Sequence, residues 1–564
     1  MTRSADAMIS CRRLTPSTGS PETLSLASHW IQECTTTHQR CQNTTAQDIW
    51  YPTRLLSFDV EGSAVAKLIE TAQARPTTKY MTLTHRWGIT EHLKLTKETY
   101  SFLTQDFPLS YLPRLFQDAV FICRHLRIKY LWIDCLCIFQ GKDGLQDWEH
   151  EASLMGDVYA HSFCNISAAD ALDCSQSIFN KRDHYIIIPE VVQLDRGIVG
   201  SRITQERFTV SNYNFWETEV SNALVNKRAW VLQERCLAPR ILHFGKRQLF
   251  WECCERDAAE IYPNGLPLAL STSPHAKFKQ LDPSAYLDRV LVHKYRKADG
   301  NSVPHLLWHR IVEQYTASAL TFSSDKLIAC CGVAKRIAEI VQDEYIVGMW
   351  RRYLEGELLW VVQHGRGSEP YTRPEKYRAP TWSWASVDGP VQPGEPRTQD
   401  SLIKVEDYHL DYCTSDKTGA VSGGWLRLRG VLKRAVFKHK GKSVRDIDQW
   451  GLMLDIRQDE SSKTLPLETT DPVVKLDVPH EVSQGESSNG AFYYMCARLM
   501  DKAERNMYLL LLKLVDEESG TFRRIGVAYA SNTEVKAAAL RRSPAEASLP
   551  CIRYQDGLHS IHII

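Results

Sequence analysis

The stretch Tyr130–Tyr159, YLWIDCLCIFQGKDGLQDWEHEASLMGDVY, decides how the first half of the chain is read. It opens as an apolar run of strand length, crosses a polar loop and ends in a segment with helical periodicity. Asp134 closes the apolar run, and Cys135, Cys137 and Gln140 follow. Trp148, Glu151, Ala152, Met155 and Tyr159 recur at three- and four-residue steps, which places them on one helix face, while Glu149 points elsewhere. A strand that delivers polar residues at its C-terminal end and then feeds a helix is where open α/β sheets hold ligands.

Upstream, YMTLTHRWG (80–88) reads as a strand alternating Met81 and Leu83 with Thr82 and Thr84, ending on His85, Arg86 and Trp87. Pro113 opens an amphipathic helix whose stripe is Leu115, Phe116, Ala119, Val120, Cys123 and Leu126. SFCNISAA (162–169) is a further apolar strand, and residues 57–66 read as an earlier one. The β-α-β-α-β order predicts a parallel sheet flanked by helices. Beyond residue 175 the segments 186–192, 207–210, 240–244 and 248–253 are strand-like, with a short helix or turn within 226–240. Residues 305–318 and 325–342 are helical, and the Trp-rich YRAPTWSWASVDGPV (377–391) is ordered by packing. From about residue 400 the chain is β-rich, with a polar, mobile loop over 457–490. The division expected is a disordered tail to about residue 20 and a helix within 1–56, an α/β domain over 57–255 (core 77–235), a mainly helical stretch over 256–400 and a β-rich region over 401–564.

Composition narrows the function classes. A chain of 564 residues holds about two to four domains, and 43% hydrophobic with 24% charged residues is ordinary for globular proteins. The net charge of +1 gives no electrostatic reason to bind nucleic acid or an acidic membrane. Basic and aromatic residues interleave near 226–251, but acids accompany them. No apolar run reaches the roughly 18 residues of a membrane span, and the N-terminus lacks an apolar signal core. Sixteen scattered cysteines with no CxxC pair point to reduced thiols and a cytoplasmic protein.

Four constellations could carry chemistry. Glu151, on an apolar helix face, either meets an arginine or hydrogen-bond donors or lines a cleft as a catalytic or ligand-binding carboxylate. Asp134 and Gln140 share its short segment. Cys137 and His85, both at strand ends, would allow acyl transfer, although no protease pattern surrounds Cys137. Cys34, His38 and Cys41 lie on one helix face and present either three metal ligands, zinc by their chemistry, or a packed face of two cysteines and a histidine. No fourth ligand is evident in the sequence. The chain has no GxGxxG, Walker A, HExxH or GxSxG pattern.

Three blocks together resemble the fungal heterokaryon-incompatibility (HET) domain: YMTLTHRWG, the span 112–159, and RAWVLQERCLAPRILHFGKRQLFWEC (228–253). WIQECTTTHQRC, DKLIACCGVA and RAPTWSWAS resemble the flanks of long family members. The resemblance implies a role in cell-death signalling after non-self recognition, with protein partners and self-association. HET domains are remotely similar to TIR domains, some of which cleave NAD with one glutamate, so the fold implied is TIR- or flavodoxin-like. On that likeness Glu151 is the candidate acid of an NAD glycohydrolase, within a pattern that also contains Trp148, Met155 and Tyr159, and NAD is a substrate rather than a bound cofactor. Asp134, Cys137 and Gln140 match a second family pattern, and Arg228, Trp230, Gln233 and Glu234 a third, in which Ala229 replaces the usual glycine. His85 and Arg86 stand where many members carry a tyrosine and a small or aromatic residue. The alternative is a non-enzymatic signalling module in which these residues serve packing.

Overall fold

The computed structural model describes residues 2–3, 14–41, 50–183, 190–199, 202–212, 214–267, 270, 279, 281, 302–364, 371–442, 448–454, 472–479, 482, 492–500 and 506–564. The chain forms two compact units, Met1–Arg296 and Lys297–Ile564.

The first unit begins with helix α1 (Pro21–Thr37), whose first turn has proline at an N-terminal position and is capped by the Ser20 side chain. The tail before it, expected to be disordered, is ordered in part: the Thr18 N–H bonds to the Asn180 carbonyl, and Arg182 donates to the Thr15 carbonyl at 2.8 Å. The sheet strands follow as β1 (Arg54–Phe58), β2 (Val65–Glu70) and β3 (Tyr80–Thr84). Then come α2 (Lys97–Leu103), β4 (Phe107–Pro108), α3 (Arg114–His125), β5 (Tyr130–Trp132), the single turn α4 (Asp134–Cys137) and α5 (Leu145–Ala160). Strand β6 (Cys164–Ser167), α6 (Val231–Leu237), β7 (Arg240–Phe244), β8 (Leu249–Cys253) and β9 (Asp257–Ala259) complete it.

These nine strands form one sheet in the order β9-β8-β7-β6-β3-β5-β1-β2-β4. Its middle, β7-β6-β3-β5, is parallel. The strands on both sides are antiparallel, so the sheet is mixed rather than parallel. The cause is connection length, because a parallel pair needs a crossover of about a dozen residues or more. Only residues 245–248 separate β7 from β8. The stretch 57–66, expected as one strand, is instead the middle of the β1–β2 hairpin, turned at Gly62 with φ of 116°.

Strand β3 shows why the central strands contain so little that is exposed. Met81 meets the Cys123 thiol of α3, and His85, just past its end, packs edge-on against Phe116 of α3 at 5.0 Å. On the other face the Tyr80 hydroxyl donates to the Val158 carbonyl of α5 at 2.7 Å. Helices therefore cover both faces, and the apolar/polar alternation of β3 separates two buried sides. After β3 the chain places β5 on one flank and β6 on the other, so the strand succession reverses around β3.

The second unit carries helices Val303–Thr316 and Cys331–Val341 and a ten-stranded sheet. In that sheet Thr521–Ala530 pairs with both Val473–Leu476 and Met507–Asp516 and closes a barrel-like ring. Within the expected polar loop 457–490, Val473–Leu476 is thus a strand, and most of the rest lies outside the described residues. Trp382 and Trp384 of the Trp-rich segment are buried, as packing required. Among the described residues no helix is long and apolar enough to cross a membrane.

Leu131 of β5 is wholly buried in the first unit's core. Leu131→Ala should cost about 2–5 kcal/mol, read as a lowered urea midpoint for the unfolding of the first unit, followed in the full chain, with an unchanged slope.

Candidate functional site

Where the succession reverses, polar side chains bond one another in a chain. The Thr82 hydroxyl donates to Asn165 Oδ1 at 3.0 Å, and Asn165 Nδ2 donates to Thr84 Oγ1 at 2.9 Å. The Thr84 hydroxyl donates to Glu234 Oε2, and the Tyr159 hydroxyl donates to the same oxygen at 2.8 Å. Strands β3 and β6 and helices α5 and α6 each supply a member. Glu234 is only 5% exposed. Burial pushes its carboxyl up to about 7, against the pull of the Arg228 charge and the Thr84 and Tyr159 bonds.

A second group lies at the ends of β3 and β5. Asp134 opens α4, where its Oδ1 accepts the Cys135 N–H at 2.7 Å and its Oδ2 accepts the Trp87 indole N–H at 2.7 Å. His85 Nδ1 is 3.8 Å from Asp134 Oδ1, and neither buried ring nitrogen of His85 has a hydrogen-bond partner. Burial holds this imidazole down to about 4, with Asp134 pulling the other way, so it is neutral at ordinary pH. Arg228 donates to the His85 carbonyl. Gly88, φ 66°, lets the HRWG turn pass Asp173, whose Cβ would lie 2.2 Å from any added side chain. The cysteine gathered with His85 and Asp134 is Cys135. Cys137 sits two residues further along α4, toward the opposite side of that turn, and its buried thiol is pushed up to about 12. A thiol that stays protonated is a poor nucleophile.

Glu151 occupies different surroundings. It is 1% exposed, and its Oε1 is buried without a hydrogen-bond partner. Burial raises its carboxyl, opposed by a hydrogen bond to Thr53 and the charge of Arg54. Arg54 itself is held by Asp147 through both terminal nitrogens and donates to the Cys137 carbonyl at 2.8 Å. Gln140 turns back to the Ile138 carbonyl at 2.8 Å. Trp148 packs edge-on against Trp230 at 6.3 Å, joining α5 to α6. The Gln233 side chain is wholly buried with both polar atoms unpartnered. Ala229 has an ordinary backbone, so the position does not require glycine.

His85, Trp87, Asp134, Tyr159, Arg228 and Glu234 therefore gather at the strand ends, while Glu151, Cys137 and Gln140 lie toward Arg54 and the loop after α4. Sequence reasoning missed Thr82, Thr84, Asn165, Arg54 and Asp147. The signal for the first three was available: threonines and an asparagine in strands that run through the middle of a two-sided sheet must bond each other.

Comparison with known proteins places a boundary on this arrangement. Residues 80–234 match the family model described as "Heterokaryon incompatibility protein (HET)". No curated protein matches the chain, and no solved structure does. The match runs from the first residue of β3 to Glu234, so both strand-end groups lie inside it.

The raised carboxyl gives a sign to test. Between its ordinary value near 4.5 and about 7, folded Glu234 keeps a proton that the unfolded chain has released, so its contribution to stability falls as pH rises. Glu234→Gln should match wild type near pH 4.5 and gain relative stability up to pH 7, then level off, as measured by chemical denaturation across that range.

Proposed function

Residues 80–234 being a heterokaryon-incompatibility domain, we propose that the chain acts in the non-self response of a filamentous fungus, as a cytoplasmic protein of cell-death signalling. The family match carries this reading. The fifteen free thiols among the described residues fit a reducing compartment. The polar groups at the strand ends bond mostly to one another and are largely buried, which suits a rigid module that signals by binding protein partners, including further copies of itself.

A second reading is NAD cleavage, and one observation favours it: the unpartnered, buried Oε1 of Glu151. The parallel strands follow one another as second, first, third and fourth across the sheet, an order that supports this reading because open α/β sheets bind ligands where the strand succession reverses. In such a site Glu151 would hold the ribose hydroxyls and stabilise oxocarbenium character as nicotinamide leaves. Since Glu151 is 1% exposed, the reaction requires α5 to part from the segment carrying Thr53 and Arg54.

Two measurements separate the readings. Purified chain is incubated with NAD over a range of protein concentrations and nicotinamide is followed, for wild type and Glu151→Gln. The chain is also expressed in a fungal host and viability scored. Signalling by association predicts no nicotinamide and undiminished killing by Glu151→Gln. Release by wild type, abolished together with killing in Glu151→Gln, would replace it with the enzymatic reading.

A further inference from the structure

Helix α1 ends at Thr37, so Cys34, His38 and Cys41 do not share one helix face: Cys34 is in its last turn, His38 is the extended residue that caps it and Cys41 lies in the turn that follows, and together they meet the end of β8. There they find what the sequence did not show, a fourth ligand. The three thiols of Cys34, Cys41 and Cys253 and a ring nitrogen of His38 all lie within 4.8 Å of one another, and all four residues are buried. Cys253 Sγ is 3.4 Å from His38 Nδ1, across 215 residues of sequence. We propose that Cys34, His38, Cys41 and Cys253 bind one zinc ion in a closed tetrahedral site.

The donor set is that of a structural zinc centre, three thiolates and one imidazole with no position left for substrate. With Zn–S near 2.3 Å, ligand atoms of a tetrahedron stand about 3.8 Å apart. The Cys253–His38 pair is already inside that spacing, and the cluster as a whole needs to contract by no more than about 1 Å. Such a centre carries one net negative charge, and the surroundings answer it. Arg240 Nε donates to Cys34 Sγ at 3.2 Å, and the Arg256 N–H donates to Cys253 Sγ at 3.2 Å. The same Arg240 donates to the Cys41 carbonyl at 2.9 Å, fixing the turn that presents that ligand. Outer donors of this kind orient metal ligands. The flanking contacts hold α1 against β8 and the turn after it: Trp30 packs on Trp251 at 6.3 Å, and Glu33 pairs with Arg256 at 2.6 Å.

The ion would tie a helix that precedes the family-matched region to a strand that follows it. It stands independently of either reading of the function.

The full chain, prepared under reducing conditions, is analysed by native mass spectrometry and elemental analysis. The expected result is one zinc per chain, retained through gel filtration and released as one equivalent by a thiol-blocking mercurial. Cobalt substitution should give the absorption of tetrahedral thiolate coordination, a readout on wild-type protein that needs no variant to fold. Cys253→Ser and His38→Ala should lose stoichiometric metal, His38→Cys should keep it, and Cys413→Ser, at an exposed thiol, should leave it unchanged. A folded chain that takes up neither zinc nor cobalt, or peptide mapping that finds a disulfide among Cys34, Cys41 and Cys253, would overturn the assignment. So would loss of metal in Cys254→Ser with retention in Cys253→Ser.

Discussion

Taking a carboxylate out of water is tolerated only where other donors replace the water, and Glu234 sits where β3 and α5 each deliver one. Thr84 can donate to it because Asn165 donates to Thr84, and Asn165 is in turn approached by Thr82. The network thus spans β3 and β6 at once. A slip of either strand by one residue would turn these side chains to the opposite face and leave Glu234 without its partners. The register at the middle of the sheet and the seating of α5 and α6 are consequently a single solution to one desolvation problem.

Two of the buried glutamates, Glu234 and Glu151, mark unlike halves of the polar interior within residues 80–234. Glu234 has two hydroxyl donors on one oxygen and an arginine nearby, inside a network shared by several elements. Glu151 keeps one oxygen without a partner beside an arginine already engaged by Asp147. Both carboxyls are raised, yet for Glu234 the surroundings stabilise a closed arrangement, while at Glu151 a bonding position stays unfilled. An unmet acceptor in a dry interior is costly, and that cost is the strongest physical difference between the two places.

Much of this could be read from residues alone, and the remainder shows where such reading stops. Strand Tyr80–Thr84, the helix after Pro113 and the strand–turn–helix of 130–160 follow from hydrophobic period. The β1–β2 hairpin did not, because its turn depends on one glycine within FDVEGSAV, and the segment reads equally well as a single strand. Most of the strand-end residues were already suspects, but which of them touch was settled by strand order, and order depends on connections rather than on any local pattern. Cys253 is the sharpest case. Its neighbour in sequence is another cysteine, its partners lie at the end of a helix near the N-terminus, and only the fold makes them adjacent.

The sheet's outermost strands have a consequence for assembly. One border is β4, two residues long and ending in a proline, and the other is β9, three residues long. Borders so brief offer few free backbone groups to a neighbouring chain, and proline offers no donor. This sheet is therefore poorly suited to extension from one molecule into the next, and copies that met at it would do so through side chains on helices and loops. Contacts built on those side chains would be specified by surface chemistry and stay open to revision by single substitutions, without the self-templating growth that long free borders of a sheet permit.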